Sequence, residues 1–321
     1  MQADGMPSSK SFCEILGLGC AAVDDILFLP RYPEADAKVE VRERQRHCGG
    51  LTATALVAAA RLGARCAFAG RLGTDEGSSF VLETFRREGI DVKHAVRAHR
   101  AGPVRSVILV DQKRKTRNIF YDTTLAIHAG ADRHQPPARL LCSTRVLLVD
   151  RFGIPGMIRA ARLARAKGIP VVADFESFLL PRFGELLGLT DHLIVSREFA
   201  RNYTGASSPV VGAGKLWRAD RAAVVITGGA DGCWYRQAGD VQVRHLPAFR
   251  VKAVDTTGCG DVFHGAYAVA LLKPGTLAER LRFASAAAAL KAMQPGGQAG
   301  IPTRAAVEAF LRARSRLRAV R

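Results

Sequence analysis

The chain has 321 residues, 48% hydrophobic and 24% charged, which is enough apolar content for one large folded core. Its net charge of +18 comes mostly from arginines spread along helix-like stretches without interleaved aromatic residues, so we expect no nucleic-acid partner. The seven cysteines are widely spaced and form no C-x-x-C pair, which argues against a zinc site or a disulfide framework.

Residues 1–13, MQADGMPSSKSFC, lack the basic segment and apolar core of a signal peptide, and we expect a disordered tail there. One domain is expected over residues 14–321. The longest apolar runs are too short and too alanine-rich to span a bilayer, so the sequence predicts no membrane association and a cytoplasmic location.

From residue 14 onward, apolar strand-like runs alternate with amphipathic helix-like runs. In chain order they include CEILGLGC, ATALVAAARLG, CAFAGRLG, VLLVD, GMIRAARLARAKG, PVVADF and AAVVITGG. This alternation predicts a three-layer α/β/α fold with a mostly parallel central sheet, whose ligands bind at the carboxyl ends of the strands.

Two segments interrupt the alternation. Residues 25–46 and 104–121 alternate apolar and polar side chains, as half-exposed antiparallel strands do. We interpret them as a small β-sheet lid. Exposed strand edges are usually covered or paired, so the lid also predicts a homodimer.

Familiar phosphate-binding motifs do not account for this chain. GAGKLW lacks the first glycine and the final Ser or Thr of a P-loop, and GLGCAA is not followed by the helix of a dinucleotide fold. The turn GGADG, residues 228–232, follows a strand and is either an ordinary turn or part of a nucleotide site.

The stretch DTTGCGDVFHGA, residues 255–266, stands between a strand-like region and an apolar helix. The glycines Gly258 and Gly260 allow a close backbone approach, and amides at a helix N-terminus bind phosphate. A carboxylate at Asp261 suits a base that takes a proton from an attacking hydroxyl, because like charges would make it a poor phosphate ligand. The alternative is that Asp261 only caps the helix.

The same stretch resembles the C-terminal signature of the ribokinase-like (PfkB) carbohydrate kinases, usually DTTGAGD, with Cys259 in place of alanine. The segment that starts at Gly49, GGLTATALVAAARLGARCAFAGRLGTDEG, resembles the N-terminal signature of that family. The resemblance spans about residues 14–302, and among subfamilies it is closest to the sulfofructose kinase pattern and more distant from ketohexokinase-like enzymes.

The resemblance implies a ribokinase-like fold and a role for each matching residue. Asp261 would be the catalytic base, and the amides of Gly258, Cys259 and Gly260 an anion hole. The acceptor sugar would be bound by Asp24, Gly49, Gly50 and Thr54. The nucleotide would be bound by Thr227, Gly229, Gly232, Thr257 and Gly296. Asp255 matches the residue beside a monovalent-cation site, K⁺ in some members, and the alternative is that its side chain only stabilises the turn.

The chain departs from the family pattern where an Asn-x-x-Glu motif places magnesium and phosphate. Ser196 and Phe199 stand at those positions, and phenylalanine cannot bind a hard cation. Mg²⁺ would therefore rest mainly on ATP and water, with help from Asp174 or Glu176. Thr54 replaces the asparagine usual in the N-terminal signature.

These observations predict an ATP-dependent kinase that phosphorylates a primary hydroxyl of a ketose or ketose derivative, such as fructose or sulfofructose. The sulfofructose kinase pattern also predicts an acceptor with negative charge, for which the basic candidates are Lys38, Arg105 and Arg151. The alternatives are a nucleoside kinase of the same fold and a sugar or nucleotide sensor without catalytic activity.

Overall fold

The computed structural model describes residues 13–114, 116–126 and 136–319. The predicted tail lies outside the described residues except for Cys13, which is buried. Among the described residues, no helix is both long enough and apolar enough to cross a bilayer.

An eight-stranded sheet forms the middle layer. Its strands are β1 (Ile15–Leu18), β4 (Cys66–Phe68), β9 (Val146–Val149), β10 (Val171–Phe175), β11 (His192–Ser196), β12 (Ala223–Thr227), β13 (Cys233–Gln237) and β14 (Arg244–Leu246). They lie in the order β14-β13-β12-β11-β10-β9-β1-β4. The six strands from β12 to β4 are parallel, and β13 and β14 are antiparallel at one edge. This arrangement confirms the predicted α/β fold.

Helices cover both faces of this sheet. They are α1 (Leu51–Arg61), α2 (Glu76–Arg87), α3 (Ala138–Ser143), α4 (Ile154–Ala166), α5 (Phe183–Gly188), α6 (Arg197–Thr204), α7 (Pro209–Leu216), α8 (Cys259–Leu271), α9 (Leu277–Ala292) and α10 (Arg304–Ala319). Successive strand residues serve opposite layers: Ile15 packs in the core with α1, α8 and α9, whereas Leu16 packs in the core with α4 and α7. The parallel strands are apolar because both of their faces are buried.

A separate four-stranded sheet forms the lid. It contains β2 (Ala22–Leu29), β3 (Glu43–Gly49), β7 (Val104–Asp111) and β8 (Thr116–Asp122), in the order β3-β2-β7-β8. The two hairpins are antiparallel, as the sequence predicts, but β2 and β7 pair in parallel. The difference arises because α1 and α2 lie between these two strands in the chain, and a parallel pair needs such a crossover. A two-stranded sheet, β5 (Arg71–Leu72) with β6 (Val96–Arg97), completes the fold.

Helices α1 and α8 cross in unusually close contact. A side chain at Gly265, in α8, would overlap the carbonyl oxygen of Ala55 in α1. This contact therefore brings α1, which follows lid strand β3, against α8, which begins within the DTTGCGD segment.

Candidate active site

The turn before α8 holds the first part of the site. Gly258 has φ +76°, a backbone conformation that favours glycine, and precedes the first helical residue, Cys259. The Cys259 N–H donates to Thr256 O at 3.2 Å and its Sγ lies 3.6 Å from Ala288 O in α9. The Cys259 amide is therefore already engaged within the fold, and the predicted anion hole would draw on the amides of Gly258, Gly260 and Asp261.

Three acidic side chains come together beside this turn. Asp261 is hydrogen-bonded to Asp174, which lies near the end of β10, and Glu176 follows that strand. Burial and the neighbouring carboxylates raise the pKa of Asp261 well above its usual range. Burial and Asp174 raise the pKa of Glu176 to about 7. A cation beside Asp174 and Asp261 would relieve this crowding of negative charge.

Two further buried side chains lie near these carboxylates, and neither was predicted from the sequence. His264 Nδ1 lies 3.1 Å from Asp174 Oδ2 and 2.8 Å from Gly260 O. Asp150, directly after β9, accepts hydrogen bonds from Cys20 N and Thr52 Oγ1, both at 2.8 Å. The signal for His264 was a histidine inside an apolar helix. Asp150 carried none beyond its place at a strand end.

Asp174 and Glu176 face the turn before α8. Their carboxylate oxygens are the kind of ligand that Mg²⁺ prefers. Among the described residues there is no group of three or more His, Cys, Asp or Glu side chains that would hold a metal by itself. The carboxylates therefore fit a magnesium ion that also takes oxygens from a nucleotide and from water.

A second group of residues lies where the lid joins the body, and we name it the lid-root cradle: Asp24, Gly49, Gly50 and Ser106. Asp24 in β2 accepts a short hydrogen bond from the hydroxyl of Ser106 in β7, directly opposite. A side chain at Gly49 would overlap the Asp24 carboxylate, and Gly50, at φ +95°, lies against the backbone of Ala21. Burial raises the pKa of Asp24. The cradle thus presents one half-buried carboxylate and one hydroxyl beside backbone without side chains.

The first turns of α1 connect the cradle to the turn before α8. Helix α1 starts directly after Gly50, and Thr54 of α1 accepts a hydrogen bond from Gln298 Nε2 at 3.3 Å. A side chain at Gly258 would come 3.5 Å from Thr54 Cγ2. The predicted sugar residues therefore converge on the predicted catalytic turn. Ser106 and Gln298 were not predicted because both contacts cross large sequence distances, 82 and 244 residues.

The three basic candidates for an anionic acceptor are not brought together. Lys38 is exposed in the loop between β2 and β3. Arg105 is next to Ser106 in β7 and therefore points to the opposite face of the lid, where it pairs with Asp75 at 3.5 Å. Arg151 follows Asp150 and lies 4.1 Å over the ring of Phe152, with its Nε buried and unpartnered among the described residues. Of the three, only Arg151 adjoins the acidic side chains.

The third region is an open cavity of about 550 Å³ at the ends of β11 and β12, where Ser196 and Thr227 are paired across the strands. We name it the β11–β12 cavity. Its lining includes Arg197 and Gly228, and the Arg197 guanidinium lies 5.0 Å from the ring of Trp234.

The predicted turn residues frame that cavity. Gly229 and Gly232 have φ of +60° and +93°, and a side chain at Gly232 would overlap Leu246 O. A side chain at Gly228 would meet both Arg197 and Trp234. Arg197 was not predicted, because it stands between Ser196 and Phe199 without a sequence signal of its own.

Ser196 and Phe199 stand at the two positions of the Asn-x-x-Glu motif, and the structure shows what their side chains do instead of binding a metal ion. The Ser196 hydroxyl accepts a hydrogen bond from Phe199 N at 3.0 Å and so caps α6. Phe199 is buried in an aromatic cluster with Phe178, Phe183 and Tyr203. Neither side chain is free to bind a cation.

Asp255 and the segment around Gly296 lie on the other side of the turn before α8. Asp255 Oδ1 accepts from Thr257 N and Oδ2 from Gly296 N, both at 2.9 Å. Arg117, from lid strand β8, lies 3.4 Å from Oδ1. Lys291, buried at the end of α9, donates to Asp255 O at 2.8 Å.

Comparison with known proteins places this geometry in context. The family model described as pfkB family carbohydrate kinase matches residues 18–304. The chain is 29% identical over 306 residues to the ribokinase of Haemophilus influenzae, covering 92% of this chain and 97% of that one.

Solved structures resemble the whole fold. A crystal structure of ribokinase from Thermotoga maritima superposes with a TM-score of 0.80 at 26% identity, covering 94% of this chain and all of that one. The structure of Arabidopsis thaliana ribokinase, which was determined in complex with ribose and ATP, superposes with a TM-score of 0.83 at 23% identity, covering 93% and 98% of the two chains.

Proposed function

Because this chain belongs to the pfkB family of carbohydrate kinases, we propose that it transfers the γ-phosphoryl group of ATP to a primary hydroxyl of an uncharged sugar, with ribose as the first candidate. The observation that carries this proposal is the short path through α1. It joins the half-buried Asp24–Ser106 pair to the turn before α8, the helix that carries Asp261. A sugar held at the lid-root cradle would reach the base.

Asp261 is the general base in this proposal. Its carboxylate takes the proton from the sugar hydroxyl as that oxygen attacks the phosphorus, and ADP leaves from the opposite side. The amides of Gly258, Gly260 and Asp261 bind the oxygens of the transferred group, on which negative charge is concentrated. Asp174 and Glu176 would hold Mg²⁺, which supplies positive charge to the phosphates when it is bound with ATP. The lid excludes water, which otherwise competes as acceptor.

The choice of an uncharged acceptor rests on the placement of the basic side chains. Arg105 faces away from Asp24, and Lys38 is exposed. A half-buried carboxylate in the cradle would repel an anionic sugar, whereas it accepts hydrogen bonds from neutral sugar hydroxyls. The similarity to the ribokinases reported above supports ribose as the acceptor of this chain, whereas the sulfofructose kinase pattern of the sequence supports a ketose. Fructose and sulfofructose are the rival acceptors.

An ADP-release assay with purified protein and MgATP tests the proposal. The acceptors are ribose, fructose, sulfofructose, a sugar phosphate and adenosine, and mass spectrometry identifies the product. We expect the highest kcat/KM for a neutral sugar, and ribose first among them. A preference for adenosine would favour a nucleoside kinase. Binding of sugar and ATP without ADP release from any acceptor would instead mean a sensor.

We further propose that two copies associate through the lid. Strand β8 is an edge strand, and its Ile119, Phe120 and Tyr121 are 48%, 52% and 67% exposed. Light scattering at micromolar concentration should give the mass of a dimer, and Phe120→Ser should weaken it. Leu179→Ser is the matched control, because Leu179 is exposed outside the lid. A monomeric wild type would contradict this proposal. We retain the cytoplasm as the expected location.

A further inference from the structure

Lys291 is an unusual residue for the interior of a protein. Its side chain has no exposed surface, and it lies in the last turn of α9. Lysine is almost never fully buried unless its ammonium group is paired. Here the ammonium group donates to Asp255 O at 2.8 Å and lies 3.8 Å from Asp255 Oδ2. The interior of this molecule therefore holds one positive charge directly behind the catalytic turn.

The partner of this charge joins two segments. Asp255 Oδ1 accepts from Thr257 N and Oδ2 from Gly296 N. The amides of Val254 and Asp255 both donate to Ala292 O, at 2.7 and 3.1 Å. The segment before Gly258 is thereby tied to the segment that follows α9. Whatever cation lies at Asp255 holds the backbone of the anion hole in place.

A monovalent metal ion does not fit this arrangement. The Asp255 carboxylate already accepts two amide hydrogen bonds and one from the guanidinium of Arg117, 3.4 Å from Oδ1. Three of its about four acceptor positions are therefore taken. The Lys291 ammonium lies 3.8 Å from Oδ2, close enough to neutralise the carboxylate. An additional ion would also be repelled by the buried ammonium group at close range.

We propose that the Lys291 ammonium group is a built-in substitute for a monovalent metal ion. It neutralises Asp255 and orders the turn 255–260 permanently, so that phosphoryl transfer needs neither K⁺ nor Na⁺. The inference rests on the proposed function for its kinetic test, and on the protein alone for its stability test. Lys291 is a positioning residue, since it acts on the anion hole through Asp255.

The first experiment measures the wild-type protein in choline chloride and in KCl at equal ionic strength. We expect kcat/KM to agree within about twofold, and the melting temperature to agree within about 1 °C, because an ion that bound only the native state would raise it. Activation by K⁺ of about fivefold or more, or a clear rise in melting temperature specific to K⁺, would overturn the proposal. The melting comparison needs no acceptor, so it remains decisive if no sugar is phosphorylated.

The second experiment asks whether K⁺ can replace the lysine. Lys291→Ala removes the ammonium group and leaves room for an ion, whereas Lys291→Met removes the charge but fills the room. In choline chloride we expect both variants to lose activity about tenfold or more, because Asp255 is left without its buried partner. KCl should restore Lys291→Ala at least in part and leave Lys291→Met unrestored.

Lys273→Met is the control, because Lys273 is exposed just beyond α8, and it should match the wild type in both salts. If K⁺ does not restore the activity of folded Lys291→Ala, Lys291 is only a packing residue. That result would refute the proposal that its ammonium group replaces a metal ion. If Lys291→Ala does not fold, the wild-type salt comparison decides alone.

Discussion

The lid-root cradle and the β11–β12 cavity both lie at the carboxyl ends of the central strands, yet they are built in opposite ways. The cradle is half-buried and closely packed: Asp24 is held by Ser106, and a side chain at Gly49 would overlap the Asp24 carboxylate. The cavity is open, and one of its charged side chains, Arg197, is 45% exposed. The cradle can discriminate between acceptors, since a buried polar group left unpaired is costly. In the proposed kinase the cavity would bind the nucleotide through partly exposed side chains.

Asp261 lies between the two regions, and its substitution should have the largest effect. Asp261→Asn keeps the volume and the helix start but removes the proton acceptor, so single-turnover phosphorylation should slow by ~10²–10⁴-fold at saturating ATP and sugar. Affinity for both substrates should change little, as calorimetry can check. The structure gives the cap position of α8 to Gly258, with no side-chain cap hydrogen bond, so Asp261 is not the helix cap. An unchanged rate would mean that Asp261 is not the general base.

The cradle should give the next largest effect. Asp24→Ala removes a half-buried acceptor of sugar hydroxyl hydrogen bonds, and we expect kcat/KM for the sugar to fall about 10–100-fold, with KM for ATP unaffected. Asp25→Ala is the matched control. Asp25 is the next residue, points to the other face of the lid and pairs with Arg46 at 2.9 Å. Equal losses in the two variants would remove Asp24 from the acceptor site.

The cavity should give a smaller and different effect. Arg197→Ala removes a guanidinium group beside Thr227 and Gly228, and KM for ATP should rise about fivefold while KM for the sugar stays constant. Arg218→Ala, an exposed arginine paired with Asp220, controls for the loss of one surface charge. If KM for the sugar rises instead, the two regions are not separate as described.

Lys38→Ala should have the smallest effect. With an uncharged acceptor, an exposed lysine in the β2–β3 loop should change kcat/KM by less than about twofold. The measurement is the same steady-state assay with ribose and with sulfofructose in parallel. A selective loss with sulfofructose would restore the anionic acceptor that the sequence pattern suggested.

Local patterns account for what the sequence could predict. Gly258, Asp261 and the turn at Gly232 are recognisable because the residues that define each of them are neighbours in the chain. The alternation of strands and helices likewise predicts the central sheet, since periodicity is a property of short segments.

Contacts between distant segments could not be predicted in the same way. Ser106 meets Asp24 across 82 residues, and Lys291 meets Asp255 across 36. Which face of the lid Arg105 occupies depends on strand register, because a shift of one residue reverses it. For the same reason, the sequence identified the acidic residue of the cradle but not its partner.

The crossing of α1 and α8 has a consequence for changing the acceptor in the laboratory. At Gly265 the two helices are in backbone contact. Asp261 in α8 and Gly50 before α1 therefore cannot move apart or closer together to accommodate a longer sugar. Libraries that vary the helices should mostly yield poorly folded proteins. Those that vary β2, β7 and the loop between β2 and β3 should yield enzymes with altered sugar preference and an unaltered chemical step.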